Sequence, residues 1–224
     1  MAFRYSPKIV TDGLVLCLDA ANTRSIVSGS TTWNDLTANF NNGTLVNGPT
    51  YSITNSGNIV FDGIDDYGII NGNNLTKQLN QITVECFFNK SSGRTILSHS
   101  NDTIGAVKSY AFEQVSNSFQ SKLNISSVQY TLSHTDLNNK WNMISLTYDG
   151  SLITLYHNGV FITSTPAAGS VTYQTNSNLN IGRKNSADGE YINGRISNIR
   201  LYNRSLTANE VLQNYNTIKT RFGL

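Results

Sequence analysis

Three aspartates stand within five positions of the chain, at Asp62, Asp65 and Asp66. Carboxylate oxygens are the hard ligands that calcium prefers, so this acidic segment is a candidate calcium site. The alternative, which we prefer, is that the aspartates and Gly63 shape a turn, because short carboxylates accept hydrogen bonds from nearby backbone amides. The sequence indicates no other cofactor.

Residues that could support enzymatic chemistry are few and scattered. The glutamates number four, at Glu85, Glu113, Glu190 and Glu210, and the histidines three, at His99, His134 and His157. No histidine belongs to a motif with a serine or cysteine nucleophile. We therefore predict that the protein is not an enzyme.

Two cysteines, Cys17 and Cys86, each lie in an apolar, strand-like run. We interpret them as buried, reduced thiols that act as small apolar side chains. A disulfide is the alternative if their strands are neighbours, although folding in a cytoplasm disfavours it. Two cysteines without a histidine at ligand spacing do not form a zinc site.

Composition and charge exclude several functions. The formal net charge is +2 and no basic run occurs, so the chain lacks the electrostatic footprint of a nucleic-acid-binding protein. Residues 1–11 have neither the apolar core nor the cleavage site of a secretory signal. No apolar run approaches the roughly 20 residues of a membrane span. We expect synthesis in a host cytoplasm without membrane insertion.

The elements that must position these residues are short strands. The chain contains 30 asparagines and only 3 prolines, which favours many turns rather than helices. Residues 81–89 alternate between two faces, with one face formed by Ile82, Val84, Cys86 and Phe88 and the other by Thr83 and Glu85. Further short strands follow at intervals of roughly ten residues, the rhythm of an antiparallel sandwich.

Residues 140–164 predict a three-stranded meander, because Asp149-Gly150 and Asn158-Gly159 suit two-residue type I′ turns. Thr207 and Glu210 then fit a capping box before an apolar pattern of helical spacing, which predicts one short amphipathic helix over about 207–218. We divide the chain into an N-terminal arm, residues 1–12, and one domain, residues 13–224, that includes this helix.

Several segments resemble one superfamily. The runs GLVLCLDAAN from Gly13, WNDL from Trp33, FDGIDDY from Phe61 and the hairpin sequence YDG from Tyr148 resemble the corresponding parts of concanavalin A-like, laminin-G-like domains. The resemblance extends in order from about Gly13 to the C-terminal helix. It implies an all-β fold, a two-sheet antiparallel jelly-roll sandwich with one short C-terminal α-helix.

The resemblance also implies which sites to examine. Glycosidases of this superfamily carry a Glu-x-Asp-x-x-Glu strand, which this sequence lacks. Many relatives bind calcium partly through an aspartate of the last strand, where this chain has Ser197. Others bind glycans on aromatic platforms, for which the candidates by residue type are Tyr110, Phe112, Tyr130, Tyr173 and Tyr191.

The Asn-rich sequence, with the opening KIVTDGLVLCLDAANT, is also similar to structural proteins of tailed bacteriophages. That similarity implies a non-enzymatic virion protein, a capsid decoration, fibre or tail component that contacts other virion proteins and forms a homo-oligomer. The alternative is a lectin-like adhesin module that binds host surface glycans.

Overall fold

The computed structural model describes residues 8–71, 80–105, 107–135, 137–174 and 176–224. Within these ranges the chain forms sixteen strands and one α-helix, and the strands assemble into two antiparallel sheets. The sheets pack face to face around one large apolar core, as the sequence predicted. The described part contains no helix that is both long enough and apolar enough to span a membrane.

The first sheet has the order β14-β13-β12-β7-β16-β5-β4, with β1 also paired to β16. Its strands are β1 (Leu14–Asp19), β4 (Thr50–Ser52), β5 (Asn58–Asp62), β7 (Ile82–Gly93), β12 (Asn142–Tyr148), β13 (Leu152–His157), β14 (Val160–Pro166) and β16 (Ile192–Tyr202). One edge of β16 pairs with β7, and the other pairs first with β5 and then with β1.

The second sheet has the order β11-β10-β9-β8-β15-β6-β3-β2. Its strands are β2 (Thr32–Trp33), β3 (Gly43–Val46), β6 (Tyr67–Ile70), β8 (Thr95–Ser100), β9 (Tyr110–Val115), β10 (Ser118–Ile125), β11 (Val128–Thr135) and β15 (Asn178–Ile181). Strands β9, β10 and β11 form a continuous meander that ends at the edge strand β11.

The two faces of β7 are both buried, for different reasons. Its predicted apolar face contributes Val84, Cys86 and Phe88 to the core between the sheets. The opposite face, with Thr83 and Glu85, is covered rather than exposed to water. The cover is the C-terminal helix, so the outer face of the first sheet has a second apolar cluster of its own.

The C-terminal helix α1 (Ala208–Ile218) begins at the predicted capping box. The Thr207 side chain accepts from the Glu210 backbone N–H, and the Glu210 carboxylate accepts from the Thr207 backbone N–H. Val211 and Ile218 face the sheet and pack with Phe87 of β7. Burial of this apolar stripe and satisfaction of the first-turn amides hold the helix in place.

A buried polar network lies under the helix. The Arg200 Nε lies 2.9 Å from the Glu85 carboxylate, which also accepts hydrogen bonds from Ser145 and Asn214. The Asn214 Oδ1 accepts from the Val10 backbone N–H at 2.8 Å. The network therefore joins the sheet, the helix and the segment that precedes β1.

The two predicted turns of the meander differ. Asn158 and Gly159 have φ of 52° and 78°, as the type I′ prediction requires. At Asp149-Gly150 the prediction was wrong, because only Gly150 has positive φ and Tyr148 pairs with Ile153, which leaves a longer loop. The Asp149 carboxylate stabilises this loop by accepting hydrogen bonds from the following residues.

The cysteines are buried and free, as interpreted from the sequence. The disulfide alternative is wrong for two geometric reasons. Strand β16 separates the cysteines, since Cys17 pairs with Arg200 and Cys86 pairs with Ile199. Arg200 and Ile199 are consecutive, so the two thiols point to opposite faces of the sheet.

Candidate functional site

The acidic loop between β5 and β6 does bring the predicted aspartates together. Oxygen atoms of Asp62, Asp65 and Asp66 lie within 4.8 Å of one another. The Asp62 Oδ1 accepts from the backbone N–H groups of Ile64 (2.8 Å) and Asp65 (3.4 Å), and the Asp66 Oδ2 accepts from the Asp62 N–H (3.1 Å). These bonds account for the loop conformation without an ion.

Charge in the loop is nevertheless concentrated. The hydrogen bond from Ile64 lowers the pKa of Asp62, whereas burial raises the pKa of Asp66 and its acidic neighbours raise it further. Three carboxylates supply part of the six to eight oxygens that calcium takes. Ser197 adds none, because it is buried and its hydroxyl donates to the Gly57 carbonyl at 2.7 Å. Calcium binding stays a prediction.

None of the five aromatic residues named as candidates by type is well exposed. Tyr110 and Phe112 are in the core, and Tyr130, Tyr173 and Tyr191 are half-buried. Tyr110 stacks on His99 between the sheets, with ring centroids 5.0 Å apart. Their residue types suggested a binding surface, but their positions on the strands assign several of them to the interior.

A groove that the sequence did not predict lies on the outer face of the first sheet, beside the start of α1. Its cavity volume is about 440 Å³, within the range of small-molecule sites. The serine and threonine residues of its lining come from β12, β13 and the segment before the helix, and are Thr147, Thr154, Ser205 and Thr207.

Thr83 lies beneath one wall of this groove and holds that wall in place through hydrogen bonds. Its hydroxyl donates to the Arg204 carbonyl and accepts from the Leu206 backbone N–H, both at 2.9 Å. These bonds attach the segment before the helix to β7. Arg204 in turn donates to Glu210 at 2.6 and 3.0 Å, which connects that wall to the first turn of α1.

The opposite wall is the loop after β12. Asp149 Oδ1 accepts three hydrogen bonds, from the Ser151 N–H (2.8 Å), the Ser151 hydroxyl (2.9 Å) and the Leu152 N–H (2.8 Å). Burial alone would raise the pKa of Asp149, but these bonds outweigh it and lower the pKa. The carboxylate is therefore ionised at neutral pH and held in one orientation.

Gln81 and Tyr156 complete the lining. The Gln81 amide donates to the Asp149 carbonyl at 3.1 Å, so it is positioned by the same loop. Tyr156 provides a mostly buried ring beside the two threonines. Hydroxyls, one amide, one carboxylate and one ring form a surface that can exchange hydrogen bonds with a polyhydroxylated ligand.

The four glutamates are all engaged with cations. Glu85 contacts Arg200, Glu190 contacts Arg94 and Lys184, and Glu210 contacts Arg204. The fourth, Glu113, lies within 4 Å of Lys108, Lys122 and Arg94 on the outer face of the second sheet. None of them forms the free carboxylate pair that a glycosidase requires.

Glu113 has no exposed side-chain surface. Burial would raise its pKa, but the hydrogen bonds from Lys108 and Lys122 outweigh that effect and lower it. Glu113 therefore stays ionised as the anchor of a charged network. Strands β9 and β10 and the loops beside β9 place these residues together, and no motif in the sequence signalled the cluster.

The fold and the groove define a class, a concanavalin A-like sandwich with a polar groove beside its C-terminal helix. The family model described as the concanavalin A-like lectin/glucanases superfamily matches residues 62–212. The chain therefore belongs to this superfamily. No curated protein sequence matches the chain.

Solved structures share the fold at low sequence identity. The binding domain of Paraclostridial Mosquitocidal Protein 1 has a TM-score of 0.69 at 14% identity, covering 92% of this chain and 52% of the other. The chain thus spans about half the length of that binding domain.

Two further structures are of carbohydrate-active proteins. Trypanosoma rangeli sialidase, in complex with sialic acid, gives a TM-score of 0.70 at 14% identity. The match covers 95% of this chain and 34% of the sialidase chain. Domain 4 of the arabinanase AbnA from Geobacillus stearothermophilus, in complex with arabinotriose, gives a TM-score of 0.67 at 18% identity. The match covers 90% of this chain and 98% of that domain.

Proposed function

We propose that the protein is a non-enzymatic recognition module that binds a carbohydrate in the groove beside α1. The observation that supports this most directly is the groove lining. Thr147, Thr154, Ser205 and Thr207 all line the groove, whose volume is about 440 Å³. A sugar presents hydroxyl groups that donate and accept, and such a lining satisfies both. Tyr156, which is 8% exposed, contributes the small accessible part of its side chain to the lining.

The lack of catalytic activity is part of the same proposal. Each of the four glutamates is paired with a cation, and Asp149 is the one carboxylate among the groove's described lining residues, so this lining has no second carboxylate to pair with it. The solved structures support binding as the activity, since one is a toxin binding domain and another is an arabinanase domain in complex with arabinotriose.

Isosteric variants test the groove. Thr147→Val and Thr154→Val remove hydroxyls and keep the side-chain shape, so we expect retention on a glycan array to fall at least tenfold when both are changed. Thr44→Val makes the same chemical change on β3 of the second sheet, away from the groove, and should leave retention unchanged. Equal binding by all variants would exclude the groove, and absence of wild-type binding to any glycan would exclude the proposed function.

We further propose that the module is a virion component, a capsid decoration, fibre or tail part, that works through protein–protein contacts as a homo-oligomer. The structural support is the edge strand β11, which contains no charge and no proline and pairs only with β10 in the described part of the chain. Natural proteins usually protect edge strands with charges, prolines or bulges.

The free edge of β11 is regular as well as unprotected. The turn at Ser126 and Ser127 makes Ile125 and Val128 the first pair of the ladder. Backbone groups on an edge strand alternate between the neighbouring strand and solvent, so those of Thr131 and Ser133 point away from β10. They provide hydrogen-bonding groups for another strand.

The virion role is tested by quantitative mass spectrometry of purified particles from the source. We expect the chain in the particles, with a copy number that equals a capsid multiple for a decoration protein and is far smaller for a fibre or tail part. Absence from particles would exclude the virion role and leave the carbohydrate-binding module.

A further inference from the structure

Two histidines from different sheets meet at the open side of the sandwich. His134 lies on the edge strand β11 of the second sheet, and His157 ends β13 of the first sheet. Their ring centroids are 4.6 Å apart and their planes cross at 71°. Both side chains are partly exposed, so each imidazole is accessible from solvent.

The hydrogen bonds around His157 determine which nitrogen carries its proton. The Asn142 amide nitrogen donates to the carbonyls of Leu137 (2.9 Å) and Lys140 (2.7 Å), so its Oδ1 must face the imidazole. That oxygen lies 2.9 Å from the His157 Nε2 and can only accept. The proton is therefore on Nε2, and Nδ1 keeps a lone pair.

His134 has the complementary arrangement. Its Nδ1 lies 3.1 Å from the Thr135 carbonyl oxygen, which can only accept, and 3.0 Å from the Thr135 hydroxyl. The tautomer with the proton on Nδ1 satisfies the carbonyl and leaves the lone pair on Nε2. Each imidazole thus donates one N–H to a protein oxygen, which is the arrangement that orients histidine ligands in metal sites.

We propose that His134 and His157 bind a divalent transition-metal ion, of which Zn²⁺ is the representative, and so connect the two sheets. The ligands are His157 Nδ1 and His134 Nε2, with water in the remaining positions. Zn–N distances of about 2.0–2.1 Å place the centroids of two tetrahedral imidazole ligands roughly 5 Å apart, close to the distance between these rings. Imidazole selects zinc, nickel and copper over calcium and magnesium.

The protonation state of His157 agrees with this role. Burial, and then the neighbouring His134, lower the pKa of His157 to about 4. His157 is therefore neutral at pH 7, as a metal ligand must be. The site does not depend on the carbohydrate groove and can be tested separately from it.

Calorimetric titration of the untagged, metal-stripped chain provides the first test. We expect one Zn²⁺ per chain, with affinity reduced at least tenfold in His134→Gln and in His157→Gln, and any heat with Ca²⁺ unchanged by these two substitutions. A matched control replaces the acidic loop carboxylates, Asp62→Asn, Asp65→Asn and Asp66→Asn together, and should leave Zn²⁺ affinity unchanged. Zn²⁺ binding that survives in the double histidine variant would overturn the proposal.

A second measurement avoids the variants altogether. Long-range ¹H–¹⁵N spectra of the wild-type chain distinguish the two nitrogens of each imidazole. Addition of Zn²⁺ should shift His157 Nδ1 and His134 Nε2 and leave the buried His99 unchanged. Zn²⁺-induced shifts confined to other residues, or no shifts at all, would contradict the assignment even if the histidine variants failed to fold.

Discussion

At the scale of single residues, the unusual feature is the burial of charge on the outer face of the first sheet. Glu85 and Arg200 are each about 1% exposed and lie under the helix rather than in water. Burial raises the pKa of Glu85, and the Arg200 charge opposes that effect. Such a pair adds little net stability compared with apolar residues, but removal of one member leaves the other charged and unpaired.

Glu85→Ala should therefore be strongly destabilising. We expect the free energy of unfolding to fall by about 3–5 kcal/mol, the usual cost of leaving one buried partner unpaired. Urea denaturation followed by fluorescence measures this. Glu190→Ala, which removes a more exposed carboxylate paired with Arg94 and Lys184, is the control and should cost less than about 1 kcal/mol. Similar losses in both variants would contradict the role assigned to Glu85.

His99 makes the stability of the folded protein depend on pH. Its ring is fully buried, and burial lowers its pKa from 6.5 to about 4. Between those values the unfolded chain binds the proton and the folded chain does not, so stability falls as the pH decreases from 6.5 to 4. From pH 7 to pH 5 this one site should remove about 2 kcal/mol.

The variant His99→Asn separates this effect from the other titrating groups. Asparagine can hydrogen-bond to Ser109, the partner of His99 Nδ1, but it does not titrate. We expect the variant to be less stable at pH 7 and to lose less stability than the wild type on going to pH 5. Parallel pH profiles of the two proteins in urea denaturation would show that His99 is not responsible.

At the scale of elements, features formed by residues close in sequence were predictable, but the surface that the C-terminal helix covers was not. The alternation of β7 and the capping box of α1 depend on residues close in sequence, and both predictions are confirmed. The sequence did not indicate that the helix would cover Thr83 and Glu85, because that contact joins residues 129 positions apart. Thr83, which the sequence assigned only to the face opposite the apolar one, positions the groove wall.

The capping box itself has a measurable contribution. Thr207→Ala removes the acceptor for the Glu210 N–H, and the helix packs on the sheet through its first turn, so we expect a loss of about 1 kcal/mol in unfolding free energy. Thr217→Ala, in the last turn of the same helix, should change stability by a few tenths of a kcal/mol at most. Calorimetric melting of both variants makes the comparison, and an equal effect would argue against the cap.

At the scale of the whole molecule, the superfamily and the acidic loop could be recognised from the sequence, but the groove and the Glu113 network could not. The acidic loop was predictable because its aspartates are neighbours in sequence. The groove and the Glu113 network join residues from distant strands and loops, so only the sheet order brings them together. For the same reason the sequence did not show that β11 would become an edge strand.

Self-association through β11 is a prediction at this scale, and it rests on the proposed homo-oligomer. A strand of eight residues is about 26 Å long, enough for a modest interface between two copies. Because the strand has no charge, two copies can pair antiparallel without repulsion between like charges. We expect analytical ultracentrifugation to show a concentration-dependent dimer.

Ser133→Lys should convert this dimer to a monomer, because the two lysines would lie within about one Debye length, roughly 10 Å, of each other across the two-fold axis. Gln120→Lys places the same charge on the same outer face, on the neighbouring strand β10 rather than at the edge, and should leave the dimer intact. A wild-type monomer at all concentrations would refute the edge-strand interface. A dimer that persists in Ser133→Lys would place the contact on another surface, and the exposed Phe161 of β14, the edge strand of the first sheet, would then be the next residue to change.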